Sequence, residues 1–475
     1  MRAIDTKTKI LATVGPASDS KEKLKALVEA GVDAFRLNFS HSDHNYYKRI
    51  FDLINEVCVE ESLPIAILID LQGPKIRIGD LSEPEIQINS GDKIEITTKE
   101  VLGTNKLIST SYSELIADAK VGDDILIDDG LIHLRVAAKK KQSLVCEIID
   151  GGILKPKKGM NLPGMKLSTP SLTQKDIYDL DFALLHRVDF IALSFVRKAK
   201  DILHLKEYLK SKNKDIPVIA KIEKKEAVNN FNEILKVSDG IMVARGDLGV
   251  ELKTQEVPVI QKNIIRKCNE VGKLVITATQ MLESMINNPV PTRAEASDIA
   301  NAVWDGTDTV MLSGETSVGK YPIAAVEIMN EILAATESQS GFRTKVEYET
   351  PDNLADNIFD ASGKAIATMA DQLKVKAIVI FTHYGRKAVV VSKYRPSALI
   401  VAVSDNFETL NRLNLRRGIR SFYISDLSDE EEIIRKATEI IKTNNIVSEG
   451  DIVLFTSGAP ISEKGRKSWV RFSVI

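Results

Sequence analysis

Charged and hydroxyl side chains recur in this chain where short runs rich in Val, Ile and Leu come to an end. Such runs finish in or just before Arg36, Asn38, Ser40 and His41, then Asp70, then Lys221 and Glu223, then Arg245 and Asp247, and then Thr279 and Gln280. In an extended strand, residues two apart point to one face, so Lys221 and Glu223 should emerge together, as should Arg36, Asn38 and Ser40. Glu223 and Asp247 belong to neighbouring runs. Two converging carboxylates with open positions suit Mg²⁺ or Mn²⁺, which keep waters and accept phosphate oxygens. Any single pair of this kind is equally well explained as a structural ion-pair network; several together at successive strand ends favour a site. The ARGDLG segment, taken alone, reads as a tight strand-to-loop connection in which Gly246 and Gly249 supply permissive backbone angles.

The elements that must hold these groups can be counted. Eight runs, KILATV, DAFRLNF, IAILIDL, DFIALSF, PVIAKIE, GIMVAR, LVITAT and DTVMLS, alternate with segments of helical period such as SKEKLKALVEA, NYYKRIFDLINEVCVEES, DILHLKEYLKSK, EAVNNFNEILK and VIQKNIIRKCNEVG. That rhythm predicts a parallel (β/α)8 TIM barrel, a fold whose reactive residues sit at the C-terminal strand ends. Between Pro74 and Thr169 the pattern changes to short alternating strands, DKIEITT, LIHLRVAA and LVCEIID, with Gly-Asp turns. A small β domain inserted after the third barrel strand is expected there. From about Val346 a further helix and the strands AIVIFT, ALIVAV, SFYIS, DIVLFT and WVRFSV predict an open α/β domain. The chain thus divides into a barrel (1–73 and 170–345), an insert (74–169) and a C-terminal domain (346–475), in keeping with about three domains for 475 residues.

The segments FRLNFSHS, DLQGPKIR, AKIEKKEAVNNFNEI, MVARGDLGVE and ITATQMLESMINNPVPTRAEASDIANAVWDGTDTVMLSGETSVGKYP resemble, in order and spacing, those of the pyruvate kinase family, over essentially the whole length. The resemblance implies transfer of the phosphoryl group of phosphoenolpyruvate to ADP, with the inserted domain as a nucleotide lid and the C-terminal domain holding effector and subunit contacts, usually in a homotetramer. It assigns Glu223 and Asp247 to the divalent metal. Lys221 would neutralise charge on the transferring phosphoryl group and the enolate oxygen, and Arg36 would grip the substrate phosphate. Arg77 and Lys158 would reach the nucleotide phosphates with Asn38, Phe39, Ser40 and His41 alongside; the Gly246 backbone, Asp247 and Thr279 would hold the substrate. Either Thr279 or a water chain delivers the proton to the enolate.

Family members that bind K⁺ do so through positions matching Asn38, Ser40, Asp70 and the backbone of Leu71, and carry an acidic residue where this chain has Lys75. An ammonium there could supply the charge that K⁺ and a carboxylate otherwise provide as a pair, so K⁺ independence is expected. A Lys75 that merely snorkels at the hinge of the insert is the plainer reading.

In the C-terminal domain FTHYGRKA follows a strand and opens a helix, a geometry that attracts phosphate. Together with Lys464, Arg466 and Lys467 it makes a phosphorylated effector conceivable, although these basic residues equally fit a solvated rim. A net charge of −2 with 27% charged residues disfavours a nucleic-acid partner. Cys58, Cys146 and Cys268 are odd in number and scattered, which argues against a disulfide framework and, with no apolar leader or membrane-length run, points to the cytoplasm. Two other readings remain: a metal-dependent aldolase or lyase acting on pyruvate-type enolates, and a catalytically inert metabolite sensor. The insert and the nucleotide-directed Arg77 and Lys158 weigh against the first, and the intact set of strand-end residues against the second.

Overall fold

Eight parallel strands with almost no accessible surface close into a barrel: Lys9–Thr13, Ala34–Asn38, Ala66–Leu71, Phe190–Leu193, Val218–Ile222, Gly240–Ala244, Leu274–Ala278 and Thr309–Leu312. They follow one another around the barrel in chain order, the last pairing with the first. The protein is described here by a computed structural model covering residues 6–40, 42–339, 346–425, 429–457 and 469–475. All eight predicted runs are barrel strands, each one to three residues shorter than its apolar run. The chemistry-bearing residues fall at or just beyond the last hydrogen-bonded pairs.

Two-residue alternation sorts each strand. Phe35, Leu37, Ile67 and Ile69 face outward onto the helices, in the main core. Leu11, Ala34, Leu68, Ala192, Ile219, Met242, Ile276 and Met311 form an apolar layer inside the barrel. Two residues further along five of these strands, on the same inward face, stand Thr13, Arg36, Asp70, Ser194 and Lys221. The site therefore rests on a dry floor of close-packed side chains.

The insert carries its own core and two sheets. Six strands run in the order Met160–Asn161, Asp124–Ile127, Ile132–Lys139, Ser143–Asp150, Lys93–Thr97 and Leu107–Ser109, and Ile86–Ile88 pairs separately with Gly152–Leu154. The helix returning to the barrel, Gln174–Ala183, begins with a capping box between Thr173 and Asp176, satisfying backbone N–H groups that a helix start leaves free. The same Asp176 accepts a hydrogen bond from Gly73 N at 3.0 Å, which ties the Asp70–Lys75 segment to that helix.

The C-terminal sheet is ordered Ile419–Tyr423, Leu399–Ser404, Ala377–Phe381, Ile452–Ser457 and Trp469–Val474, parallel except for the last strand. Apolar clusters lie on both of its faces. One residue of this domain, Leu415, is fully buried and joins the apolar layer inside the barrel. Its carbonyl accepts from Thr309 Oγ1 at 2.8 Å, while Arg416 donates to Gly272 O at 2.9 Å and Arg395 pairs with Asp308 at 3.0 Å. Among the described residues no helix is long and apolar enough to cross a membrane, and all three cysteines are free.

Candidate active site

The inward faces of adjacent barrel strands bring four charged side chains into one chain of contacts. Arg36 donates from Nε and Nη2 to Asp70 Oδ2, at 2.8 and 2.7 Å, and from Nη1 to Thr13 Oγ1 at 3.1 Å. Asp70 Oδ1 accepts from Lys221 Nζ at 3.1 Å and from Ser194 Oγ at 3.3 Å. Lys221 Nζ also reaches Ser194 Oγ at 2.6 Å and Glu223 Oε1 at 2.9 Å. The second Glu223 oxygen accepts from Phe195 N at 2.8 Å. As the alternation predicts, Lys221 and Glu223 emerge together.

Burial sets the electrostatics of this cluster. Asp70 and Glu223 are each 1% exposed, so both would be expected to resist ionisation. For Asp70, burial is outweighed by the Lys221 and Arg36 charges, and its pKa falls below the ordinary value. Glu223 goes the other way: burial raises its pKa, Lys221 opposes, and the neighbouring Asp247 carboxylate pushes it further up. Burial alone would lower the Lys221 pKa, but Asp70 and Glu223 hold it above its usual value, so the side chain is a fixed ammonium.

A divalent cation fits this arrangement. Glu223 and Asp247 repel one another at adjacent strand ends, and an ion between them would relieve the repulsion that the raised Glu223 pKa records. Among the described residues no three His, Cys, Asp or Glu side chains form a metal cage. Mg²⁺ needs none, since it binds through one or two carboxylates and completes its shell with water and phosphate.

Asp247 sits in a short helix, Arg245–Glu251, that starts directly at the sixth barrel strand. ARGDLG is thus helical rather than a plain turn. Gly246 N donates to Thr279 Oγ1 at 2.8 Å, bringing together two residues paired in the sequence reading. Thr279 and Gln280 have φ of 66° and 54°, a left-handed conformation rare for a β-branched residue.

Other expected residues are less tightly engaged. Ser40 N donates to Asn38 Oδ1 at 3.4 Å, and Phe39 is buried with its ring stacked on Tyr47 at 4.1 Å; His41 lies outside the described residues. Leu71 is fully buried and pairs with Leu193. On the insert, Arg77 donates to Lys157 O at 2.8 Å and Lys158 pairs with Asp128 at 2.8 Å, so neither meets the Arg36–Glu223 cluster directly. Lys75 is an exposed residue whose ammonium has no hydrogen-bond or ion-pair partner among the described residues. Desolvation, then Arg77 and Lys221, lower its pKa while Asp247 opposes them, so it lies within electrostatic reach of the cluster.

Sequence reasoning missed Thr13 and Ser194. Their signal is positional, since each follows an inward apolar residue, Leu11 or Ala192, by two. In the C-terminal domain His383 Nδ1 lies 2.6 Å from Asp405, Arg386 pairs with Asp356, and the buried Lys387 donates to Ser457 O at 2.8 Å. Lys464, Arg466 and Lys467 lie outside the described residues.

Comparison with known proteins places this architecture. Residues 5–326 match a family model described as "Pyruvate kinase, barrel domain", and residues 360–471 one described as "Pyruvate kinase, alpha/beta domain". A pyruvate kinase of Geobacillus stearothermophilus is 46% identical over 472 residues, covering 99% of this chain and 80% of that protein. One from Clostridium perfringens is 43% identical over 476 residues, covering 99% and 100%. The crystal structure of a pyruvate kinase from Cryptosporidium parvum superposes with a TM-score of 0.90 at 36% identity, covering 99% of this chain and 96% of that one.

Proposed function

The chain belongs to the pyruvate kinase family, and we propose that it transfers the phosphoryl group of phosphoenolpyruvate to ADP at the Arg36–Asp70–Lys221–Glu223 cluster, without needing K⁺. A β-phosphate oxygen of ADP attacks phosphorus, the bond from phosphorus to the enol oxygen breaks, and the released enolate takes a proton at its methylene carbon to give pyruvate. Such a transfer asks the protein chiefly for positioning and charge. Arg36 grips the phosphate of phosphoenolpyruvate, held in place by its two bonds to Asp70. Lys221 places a permanent positive charge against the phosphoryl and enolate oxygens. Glu223 and Asp247 would hold Mg²⁺ or Mn²⁺, whose added charge on those oxygens is the chemistry the ion supplies. Gly246, Asp247 and Thr279 orient the substrate carboxylate end, and protonation comes from Thr279 or through water.

We assign ADP to the side of the insert, residues 74–169, where Arg77 and Lys158 would reach the phosphates with Asn38, Phe39 and Ser40 alongside; His41, expected there from the sequence, lies outside the described residues. The single observation that carries the reading is the fixed Lys221 ammonium between Asp70 and Glu223. The matching positions for a monovalent ion are Asn38, Ser40, Asp70 and Leu71. Both Asp70 oxygens are already taken by Arg36, Lys221 and Ser194, and the Asp247 carboxylate favours a charged Lys75, against desolvation and the repulsion of Arg77 and Lys221. Both features support Lys75 as the internal cation. A phosphorylated effector on the C-terminal loop around His383 and Arg386, and a homotetrameric assembly, complete the proposal. The test is pyruvate release from phosphoenolpyruvate and ADP with Na⁺, K⁺ or tetramethylammonium, with and without a phosphosugar. Activation by K⁺ alone would remove the Lys75 assignment, and no ADP-dependent pyruvate would remove the function.

A further inference from the structure

Among the described residues, the turn that carries Thr279 is the barrel strand end with two successive left-handed residues; the fourth strand is followed by one, Phe195 at φ of 54°. Thr279 and Gln280 are both left-handed, at φ of 66° and 54°, although neither is glycine and the strand ladder has ended at Ala278. Such a pair persists only when surrounding contacts hold it. Arg245 supplies them. Its Nε donates to Ala278 O at 3.2 Å and its Nη2 to Thr279 O at 2.6 Å. The opposite edge of the guanidinium is fixed by Asp298 Oδ2 at 2.5 Å and Gln261 Oε1 at 3.4 Å, and the side chain is 10% exposed.

We propose that Arg245 is a positioning residue for the reaction: its planar fork clamps two successive carbonyls, and so keeps the left-handed turn that holds Thr279 Oγ1 over Gly246 N–H. Nothing in the proposed mechanism uses the Arg245 guanidinium, whose hydrogen bonds to Ala278 O and Thr279 O lead to the substrate end of the site through that turn. Without the clamp, the 279–280 backbone relaxes toward negative φ and swings the hydroxyl off the Gly246 amide. A lysine cannot replace it, because a single ammonium lacks the fixed spacing that spans both carbonyls. Asp298 and Gln261 serve by aiming the fork. This assignment rests on the function proposed above.

The competing explanation is an ordinary ion pair joining the Arg245–Glu251 helix to the Arg293–Asp305 helix, and the tests separate the two. Arg245→Met should lower kcat about 100-fold, the scale expected for a displaced reacting group, with KM for ADP unchanged. Proton–deuterium exchange into the methyl group of pyruvate, followed by NMR, should fall at least as far. Adding Gln280→Gly should restore kcat about fivefold, because an exposed glycine accepts the left-handed angle without the clamp. Arg245→Lys should stay as low as Arg245→Met. Wild-type kcat in Arg245→Met overturns the proposal, as does recovery with Lys but none with Gln280→Gly. If Arg245→Met does not fold, Asp298→Asn decides: a roughly tenfold lower kcat at unchanged KM for ADP supports the clamp, and wild-type kcat overturns it. A wild-type protein that forms no pyruvate defeats the preceding proposal instead.

Discussion

Replacing Glu223 by glutamine tests the metal site without requiring turnover. The carboxylate is 1% exposed, with one oxygen on Phe195 N at 2.8 Å and the other 2.9 Å from Lys221 Nζ. Glutamine keeps the size and the bond from Phe195, while Lys221 retains Asp70 and Ser194 as acceptors. At one hundred times its dissociation constant, a divalent ion that binds only the folded protein stabilises it by about 2.7 kcal/mol. For a domain of barrel size this raises the thermal midpoint by roughly 5–11 °C. Loss of one of two anionic ligands should weaken binding at least about 100-fold, the upper end seen even for outer partners. The remaining gain at the same ion concentration is then about 0.4 kcal/mol, roughly 1 °C. The pH dependence has a definite sign. Because the folded-state pKa of Glu223 is raised above its ordinary value of 4.5, its contribution to metal-free stability is present below that value and is lost as pH rises through the raised pKa. The glutamine variant should lack that loss. The assay is calorimetry with Mg²⁺, Mn²⁺ or chelator between pH 5 and 8, and a full divalent shift surviving in Glu223→Gln would place the ion elsewhere and sink the reasoning.

Lys221→Met should lower kcat by about 10²-fold or more, since it removes one preorganised charge, while leaving KM for ADP unchanged; steady-state kinetics reads both. Lys75→Glu should cost tenfold or more of the activity measured in tetramethylammonium, with K⁺ restoring it, if about 1.4 kcal/mol of charge stabilisation is at stake. Arg77→Ala and Lys158→Ala should each raise KM for ADP several-fold, about 1 kcal/mol for a partly exposed charge, with KM for phosphoenolpyruvate unmoved.

The barrel was legible because each strand is buried on both faces and reads as an unbroken apolar run bounded by polar residues. The charged cluster was legible for a related reason: a buried Lys or Asp at a strand end is conspicuous against Val and Ile. Thr13 and Ser194 were not, since a hydroxyl ending an apolar run looks like ordinary strand termination. The left-handed Thr279 was hidden as well, because ITAT reads as strand to its last residue and the contacts from Arg245 to the carbonyls of Ala278 and Thr279 come from another strand end. EAVNNFNEILK reads as one helix, but the structure breaks it into Lys225–Asn229 and Phe231–Val237. Asn230, at the break, donates its side chain to Arg197 O at 2.9 Å, a contact from distant sequence that no local period can announce.

Leu415 gives the C-terminal domain a second task. A side chain from outside the barrel joins its interior packing, so the barrel excised at about residue 345 would lose Leu415 from that apolar layer and expose part of it to water. Removing the C-terminal domain should therefore lower the thermal midpoint of the barrel itself, by loosening the packing under the floor that carries Arg36, Asp70 and Lys221.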